Sequence, residues 1–251
     1  MTDIAIIGGT GLTQMEGLEI VSREMVKTPY GAPSGPLTHG ILFGREVTFL
    51  PRHGGRHTIP PHKVNYRANM WALQSIGVRQ VIAVGAVGGI AEDCGPLTLV
   101  VPDQIIDYTY GREHTFFDVD LEHVEHIDFS FPYTESLRER LIRGARKAGV
   151  ALQERGTYGI TQGPRLETAA EIARMKHDGC AIVGMTGMPE AALARELGLD
   201  YAVITMVVNW GAGIEAVSID MEDIKQALVQ GTQHVRDALK CTLSDWSASD
   251  A

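Results

Sequence analysis

Short apolar runs alternate with longer stretches of helical period along nearly the whole chain, and this alternation limits the fold more than any single residue does. Ile4–Ile7, Val47–Leu50, Val81–Val84, Leu97–Val101, Thr157–Ile160 and Ala202–Val208 have the length and apolar content of strands. Val64–Ile76 reads as a helix, because Val64, Ala68, Trp71, Ala72 and Ile76 are spaced for one face. In Thr134–Val150, Thr134 is placed to cap a second helix, and Leu137, Leu141, Ala145 and Ala148 form its stripe. Glu167–Lys176, Pro189–Leu197 and Met221–Leu239 complete the helices; Pro189 suits a first turn, where its missing N–H costs little. Strands alternating with helices predict an α/β fold with a mixed or parallel central sheet flanked by helices. No linker divides residues 1–251, so one domain is expected, with a small polar tail after Leu243 that frays.

Composition narrows the function classes. A length of 251 residues with 44% hydrophobic content supports a sizeable core. The formal charge of −9 argues against a nucleic-acid partner. A small anion is still compatible with it, since a few local donors outweigh a distant net charge. No apolar run is long enough to cross a bilayer, and the start MTDIAIIGGTG reads as a strand entering a glycine turn, not as a signal peptide. The three cysteines, Cys94, Cys180 and Cys241, are far apart and form no CxxC pair, which fits a reducing cytoplasm.

The turns between these elements hold the chemistry-bearing residues. Gly8-Gly9-Thr10-Gly11 follows a strand and can form an anion nest of backbone N–H groups, with the Thr10 hydroxyl as a further donor. It lacks the third glycine of a dinucleotide fingerprint and the GK[ST] of a Walker loop. A plain tight turn explains it equally well. Arg52-His53-Gly54 puts a forked donor suited to phosphate at a strand end, where a surface ion pair is the simpler alternative. His53, His57 and His62 come with no HExxH or carboxylate-rich partner pattern, so a metal is not expected. Gly85-Ala86-Val87-Gly88-Gly89 reads as a glycine-rich turn closing a strand, where α/β folds gather ligands. Gly163-Pro164-Arg165-Leu166-Glu167-Thr168 opens a helix. Glu167 either complements the positive end of that helix or stands as a carboxylate at a pocket mouth. Gly184–Glu190 is another strand-to-helix turn, and Asn209-Trp210-Gly211 ends the last long strand.

Taken in order, IGGTGL (7–12), TPYGAPS (28–34), RHGGRHTIPPHKVNYRANMWAL (52–73), FFD (116–118), GPRLET (163–168) and GMTGMPEA (184–191) resemble the purine nucleoside phosphorylase and methylthioadenosine phosphorylase family. The similarity is greatest to its bacterial 5′-methylthioinosine phosphorylase branch. The resemblance implies a phosphorylase/hydrolase-like fold, a cytoplasmic homotrimer with a site at each subunit interface, and inorganic phosphate as co-substrate, with no metal or organic cofactor. It implies that phosphate is held by Thr10, Arg52, His53, the Gly85–Ala86 backbone and Thr186. Met185 lies against the sugar, Glu167 and Asn209 face the purine, and Trp210 and Gly211 stand beside them. His126 reaches into a neighbouring subunit's site.

Departures from the adenine-cutting members are informative. Those members carry a serine after GPRF and an Asp-x-Asp pair at the last strand; this chain has Glu167 and Asn209-Trp210-Gly211. An ionised carboxylate only accepts hydrogen bonds, and the N1 edge of hypoxanthine or guanine has a proton to give where adenine's does not. Glu167 therefore points to 6-oxopurines. Asn209 is less decisive, because an amide can flip. For Trp210, a wall of the base pocket and a plain packing role stand level. Ile219 replaces the histidine that relatives use for a sugar 5′-hydroxyl and suits a methylthio group, unless it is a core residue. The leading expectation is phosphorolysis of 5′-methylthioinosine. The alternatives are a methylthioadenosine phosphorylase, an ordinary inosine/guanosine phosphorylase, and a nucleoside-binding module without catalysis.

Overall fold

The computed structural model describes residues 3–12, 15–119, 123–215 and 220–246. The strands are β1 (Ile4–Gly8), β2 (Glu19–Glu24), β3 (Leu37–Leu42), β4 (Arg45–Pro51), β5 (Gln80–Gly89), β6 (Leu99–Val100), β7 (Gln104–Asp107), β8 (Leu152–Gln153), β9 (Thr157–Ile160), β10 (Cys180–Gly184) and β11 (Asp200–Trp210). They form one mixed sheet in which β2-β3-β4-β1-β5-β10-β9-β7 are successive neighbours, with β11 also paired to β5 and leading on to β6 and β8. The helices are α1 (Tyr66–Ser75), α2 (Glu135–Ala148), α3 (Ala169–His177), α4 (Gly187–Glu196) and α5 (Met221–Ser244).

Two-residue periodicity decides which helices cover which face. On β1, Ala5 and Ile7 point into one core, which also takes Tyr66, Met70 and Leu73 of α1 and Leu193 of α4. Ile4 and Ile6 point into the other core, with Leu137 and Leu141 of α2 and Val235 and Leu239 of α5. A strand buried on both faces reads as an unbroken apolar run, which is why β1 is plain in the sequence. No described helix is long and apolar enough to cross a membrane.

The architecture is the expected α/β one, and the departures from it are local. β2 is exposed along its whole length, so it has no burial pattern to read. The run from Leu97 is cut to Leu99–Val100, because Leu97 takes a positive φ of 71° that no strand tolerates. Gly85–Gly89 is not a turn: it continues β5, paired with β11 along that length. Thr134 stands at the N-cap of α2 but does not cap it with its side chain. Its hydroxyl instead accepts from the Tyr201 N–H at 3.1 Å. The tail does not fray at once, since α5 runs to Ser244 and Trp246 is buried beneath the Arg140 guanidinium.

The α2–α5 crossing depends on one residue having no side chain. A β-carbon at Gly144 would stand 1.9 Å from Thr242 Oγ1 and 2.8 Å from the Ala238 carbonyl oxygen. Gly144→Ala is therefore expected to destabilise the protein by about 1–3 kcal/mol despite its better helix propensity. A loss of that size would lower Tm by roughly 2–10 °C in a thermal melt. An unchanged melt would mean that the two helices part freely at this point.

Candidate active site

Two strands meet head-on along one edge of β5, and the gap between them is the site. β11 covers the opposite edge of β5 throughout. On the facing edge β1 runs parallel as far as Ile7↔Ala83, and β10 runs antiparallel through Ile182↔Gly89 and Val183↔Gly88. Among the described residues no strand pairs that edge between Ala83 and Gly88. β1 ends into the gap with Gly9-Thr10, and β10 ends into it from the other side with Met185-Thr186. β4, parallel to β1, ends beside them and delivers Arg52 and His53. Ligands collect where strand ends diverge, because backbone donors and side chains there are not spent on the ladder. A cleft of about 190 Å³ occupies the gap. Thr10, Arg52, His53, Gly85, Ala86 and Thr186 line it together with Glu167, Met185, Asn209 and Gly211.

Arg52 is the fixed point of the cleft. It is not a surface ion pair, being only 1% exposed. Its Nε and Nη2 donate to the two carboxylate oxygens of Glu190, each at 2.7 Å, and its Nη1 donates to the Val84 carbonyl at 2.9 Å. The Tyr201 hydroxyl donates to Glu190 from behind at 2.8 Å. Burial works against the guanidinium charge, but Glu190's charge and hydrogen bonds outweigh it and hold Arg52 above its ordinary pKa. Of the five guanidinium N–H groups, one on Nη1 and one on Nη2 are left over for the cleft. Gly9 must be glycine here, since a β-carbon would come within 2.5 Å of the Val84 carbonyl oxygen and 2.9 Å of Arg52 Nη1.

His53 is a neutral neighbour. Its Nδ1 lies 2.8 Å from the Ile59 carbonyl, which can only accept, so Nδ1 is the protonated nitrogen. Burial, reinforced by the Arg52 charge, lowers its pKa from 6.5 to about 4. His57 joins the group through its ring, 4.8 Å from that of His53, and through Nε2, 3.1 Å from Thr10 Oγ1. Thr186 stands at the N-cap of α4 without capping it by its side chain. Its hydroxyl is not committed to the helix.

On the other side of the cleft the two readings of Glu167 separate. The helix α3 begins at Ala169, with Thr168 as its cap and Glu171 closing a capping box. Glu171, not Glu167, therefore satisfies the helix start. Glu167 lines the cleft and accepts from Thr161 Oγ1 at 2.5 Å. Asn209 lies beyond a register shift in β11, and its Nδ2 donates to the Trp210 carbonyl at 2.6 Å. A carbonyl partner demands the N–H₂ end, which fixes the flip and leaves the second N–H for a ligand.

Two expected residues are not among those lining the cleft, and a third falls outside the described residues. Of the two roles open for Trp210, the packing one fits its surroundings: its indole lies against Gly89 and Gly95, it is not among the residues lining the cleft, and its carbonyl holds Asn209. The steric reason is that these glycines leave a slot that the ring fills. His126 is exposed and is not among the residues lining this chain's cleft. Ile219 lies outside the described residues.

Sequence reasoning missed the supports. Glu190 sits within the GMTGMPEA stretch but shows no sign of pairing with an arginine 138 positions away. Arg112 is buried and donates to the carbonyls of Met185 at 2.9 Å, Thr161 at 3.1 Å and Gln162 at 2.9 Å. It ties the Met185 loop to the Glu167 loop, and a lone arginine in an irregular segment gives no signal of that. Met221 and Ile224, at the start of α5, also line the cleft. Their apolar character was visible, but their destination was not.

Comparison with known proteins identifies the family and the fold. The phosphorylase superfamily profile matches residues 3–243. A protein of Pseudomonas syringae pv. tomato named probable S-methyl-5′-thioinosine phosphorylase is 57% identical over 244 residues, covering 97% of this chain and 99% of that protein. The 6-oxopurine nucleoside phosphorylase of Pyrococcus furiosus is 42% identical over 240 residues, covering 94% of this chain and 89% of its own length. Among solved structures, methylthioadenosine phosphorylase from Schistosoma mansoni in complex with adenine superposes with a TM-score of 0.92 at 33% identity, covering 97% of this chain and 91% of that one.

Two outcomes are expected from the buried groups. Glu190→Gln leaves Arg52 without its counter-charge and should cost about 3–5 kcal/mol in chemical denaturation; a loss below 1 kcal/mol would show that the pair is not structural. His53 binds its proton more weakly folded than unfolded. Its contribution is therefore intact above pH 6.5 and is lost as pH falls toward about 4. The denaturation midpoint should fall across that window, and His53→Asn should flatten the fall.

Proposed function

The chain belongs to the phosphorylase superfamily, and from that premise we propose that it uses inorganic phosphate to cut 5′-methylthioinosine into hypoxanthine and 5-methylthioribose 1-phosphate. The observation that carries the base assignment is Glu167, which faces the cleft while Glu171 takes the helix cap. Its free carboxylate oxygen accepts the N1 proton of a 6-oxopurine; adenine would offer it a lone pair. Asn209 gives its second N–H to the 6-oxo oxygen or N7.

The residues divide the chemistry between the two ends of the broken bond. A phosphate oxygen attacks the anomeric carbon as the bond to purine N9 lengthens, and the bonding pair leaves with the base. Charge moves from phosphate to purine through an oxocarbenium-like sugar, and the proton of the hydrogen phosphate ends on the purine ring, so that neutral hypoxanthine leaves. The spare N–H groups of Arg52, the hydroxyls of Thr10 and Thr186 and the backbone at Gly85–Ala86 hold the phosphate beside that carbon. Met185 flanks the sugar, and donation from Asn209 offsets the negative charge gathering on the leaving purine. The reaction as written requires phosphate and no other cofactor.

The methylthio assignment draws support from Met221 and Ile224, which give the cleft an apolar side at the start of α5, the helix that follows Ile219 in the sequence. We infer a homotrimer in which His126 completes a neighbour's site. His126 is exposed on a segment that also exposes Val119, Val124 and Phe131. Free Cys94, Cys180 and Cys241 suit a reducing cytoplasm. Methylthioadenosine phosphorolysis is the second reading, favoured by the backbone match to the Schistosoma mansoni enzyme.

The test is a panel of methylthioinosine, methylthioadenosine, inosine and adenosine, with and without phosphate. Methylthioinosine should exceed methylthioadenosine in kcat/KM on the order of 10²–10⁴-fold, and inosine by about 10-fold or more. Base release that persists without phosphate would make the protein a hydrolase, and a preference for methylthioadenosine would bring the second reading forward.

A further inference from the structure

Glu167 belongs to two cavities at once. It lines the cleft described above and also a second hollow of about 390 Å³, formed by the segments that follow β7 and β9 and by α3. Thr161 lines only the second. Its hydroxyl reaches the carboxylate from behind, donating to Oε1 at 2.5 Å. The Gly184 carbonyl is the other acceptor near that hydroxyl, at 3.4 Å. The shorter contact directs the hydroxyl's single hydrogen toward Glu167.

Thr161 is itself held in place. Its backbone N–H donates to the Gly184 carbonyl at 2.8 Å, and its own carbonyl accepts from Arg112 Nη2 at 3.1 Å. Arg112 also donates to the carbonyl of Met185, so the hydroxyl is referenced to the loop that flanks the sugar.

We propose that Thr161 is the positioning residue for base selection: its hydroxyl takes one oxygen of Glu167, fixes the rotation of the carboxylate, and leaves the second oxygen aimed at the N1 proton of the base. Without that donor the carboxylate is free to rotate away from the base edge. The selectivity is then a property of the Thr161–Glu167 pair. The inference rests on the assignment of Glu167 to the purine edge.

The experiment compares Thr161→Val, which keeps the shape and removes the hydroxyl, with Thr161→Ser, which keeps the hydroxyl. The readout is the ratio of kcat/KM for methylthioinosine to that for methylthioadenosine, with the KM for phosphate measured alongside. Thr161→Val should narrow the ratio by about 10-fold or more, the scale of one hydrogen bond to a charged group. Thr161→Ser should keep the ratio within about 2-fold, and the KM for phosphate should hold in both variants. Thr161→Ala serves where the valine variant does not fold. An unchanged ratio in both variants that lack the hydroxyl overturns the proposal, as does a serine variant that loses as much as the valine one. A wild-type preference for methylthioadenosine overturns instead the base assignment beneath it, so the two failures are distinct.

Discussion

The buried Arg52–Glu190 pair is the interaction around which the rest of the molecule is arranged. It joins the end of β4 to α4 and is braced by Val84 of β5 and Tyr201 of β11. Removing two charges from water costs several kcal/mol each, and an apolar pair of equal volume would stabilise the fold as well or better. The pair is therefore poorly explained by stability alone. What it provides is a guanidinium with no freedom to move, presenting two N–H groups at a fixed place. Gly9 follows from it, because the arginine passes where a side chain would stand.

That arrangement also settles the electrostatic character of the cleft. The formal charge of the chain is −9, and Glu190 cancels the one cation deepest in the site. In the proposed reaction an anion is therefore met by oriented dipoles more than by net positive charge: hydroxyls, backbone N–H groups and the uncommitted guanidinium hydrogens. Such donors are already aligned before the ligand arrives and lose little on binding it. In the proposed reaction the purine side works by the opposite logic, with the Glu167 carboxylate accepting a hydrogen bond from the base.

Much of this was legible in the sequence, and the limits have physical causes. Strands buried on both faces stand out as apolar runs, so β1, β4, β5 and β11 were evident. The exposed β2 was not. Side chains that end at the cleft, such as Thr10, Arg52 and Thr186, sit in glycine-rich stretches that draw attention. Their partners do not: Glu190 pairs with a residue 138 positions earlier, and Arg112 spends its hydrogens on backbone carbonyls, which have no residue identity to read. The two roles left open for Glu167 could not be separated without knowing that Glu171, four positions later, closes the cap. The flip of Asn209 likewise depended on a carbonyl whose direction only the fold sets.

The meeting of β1 and β10 at one edge of β5 has a consequence for the chain's life before it turns over any substrate. Two strands far apart in the sequence, β1 and β10, must both be in register on β5 before the gap exists. A chain still emerging, or one cut before β10, has the first half of the cradle and no second half. An anion that binds in the gap binds the finished native state and nothing earlier. By linkage each tenfold excess of such a ligand over its Kd adds about 1.4 kcal/mol to the native state alone. Phosphate supply would then bear on how much of this protein persists folded, as well as on how fast it works.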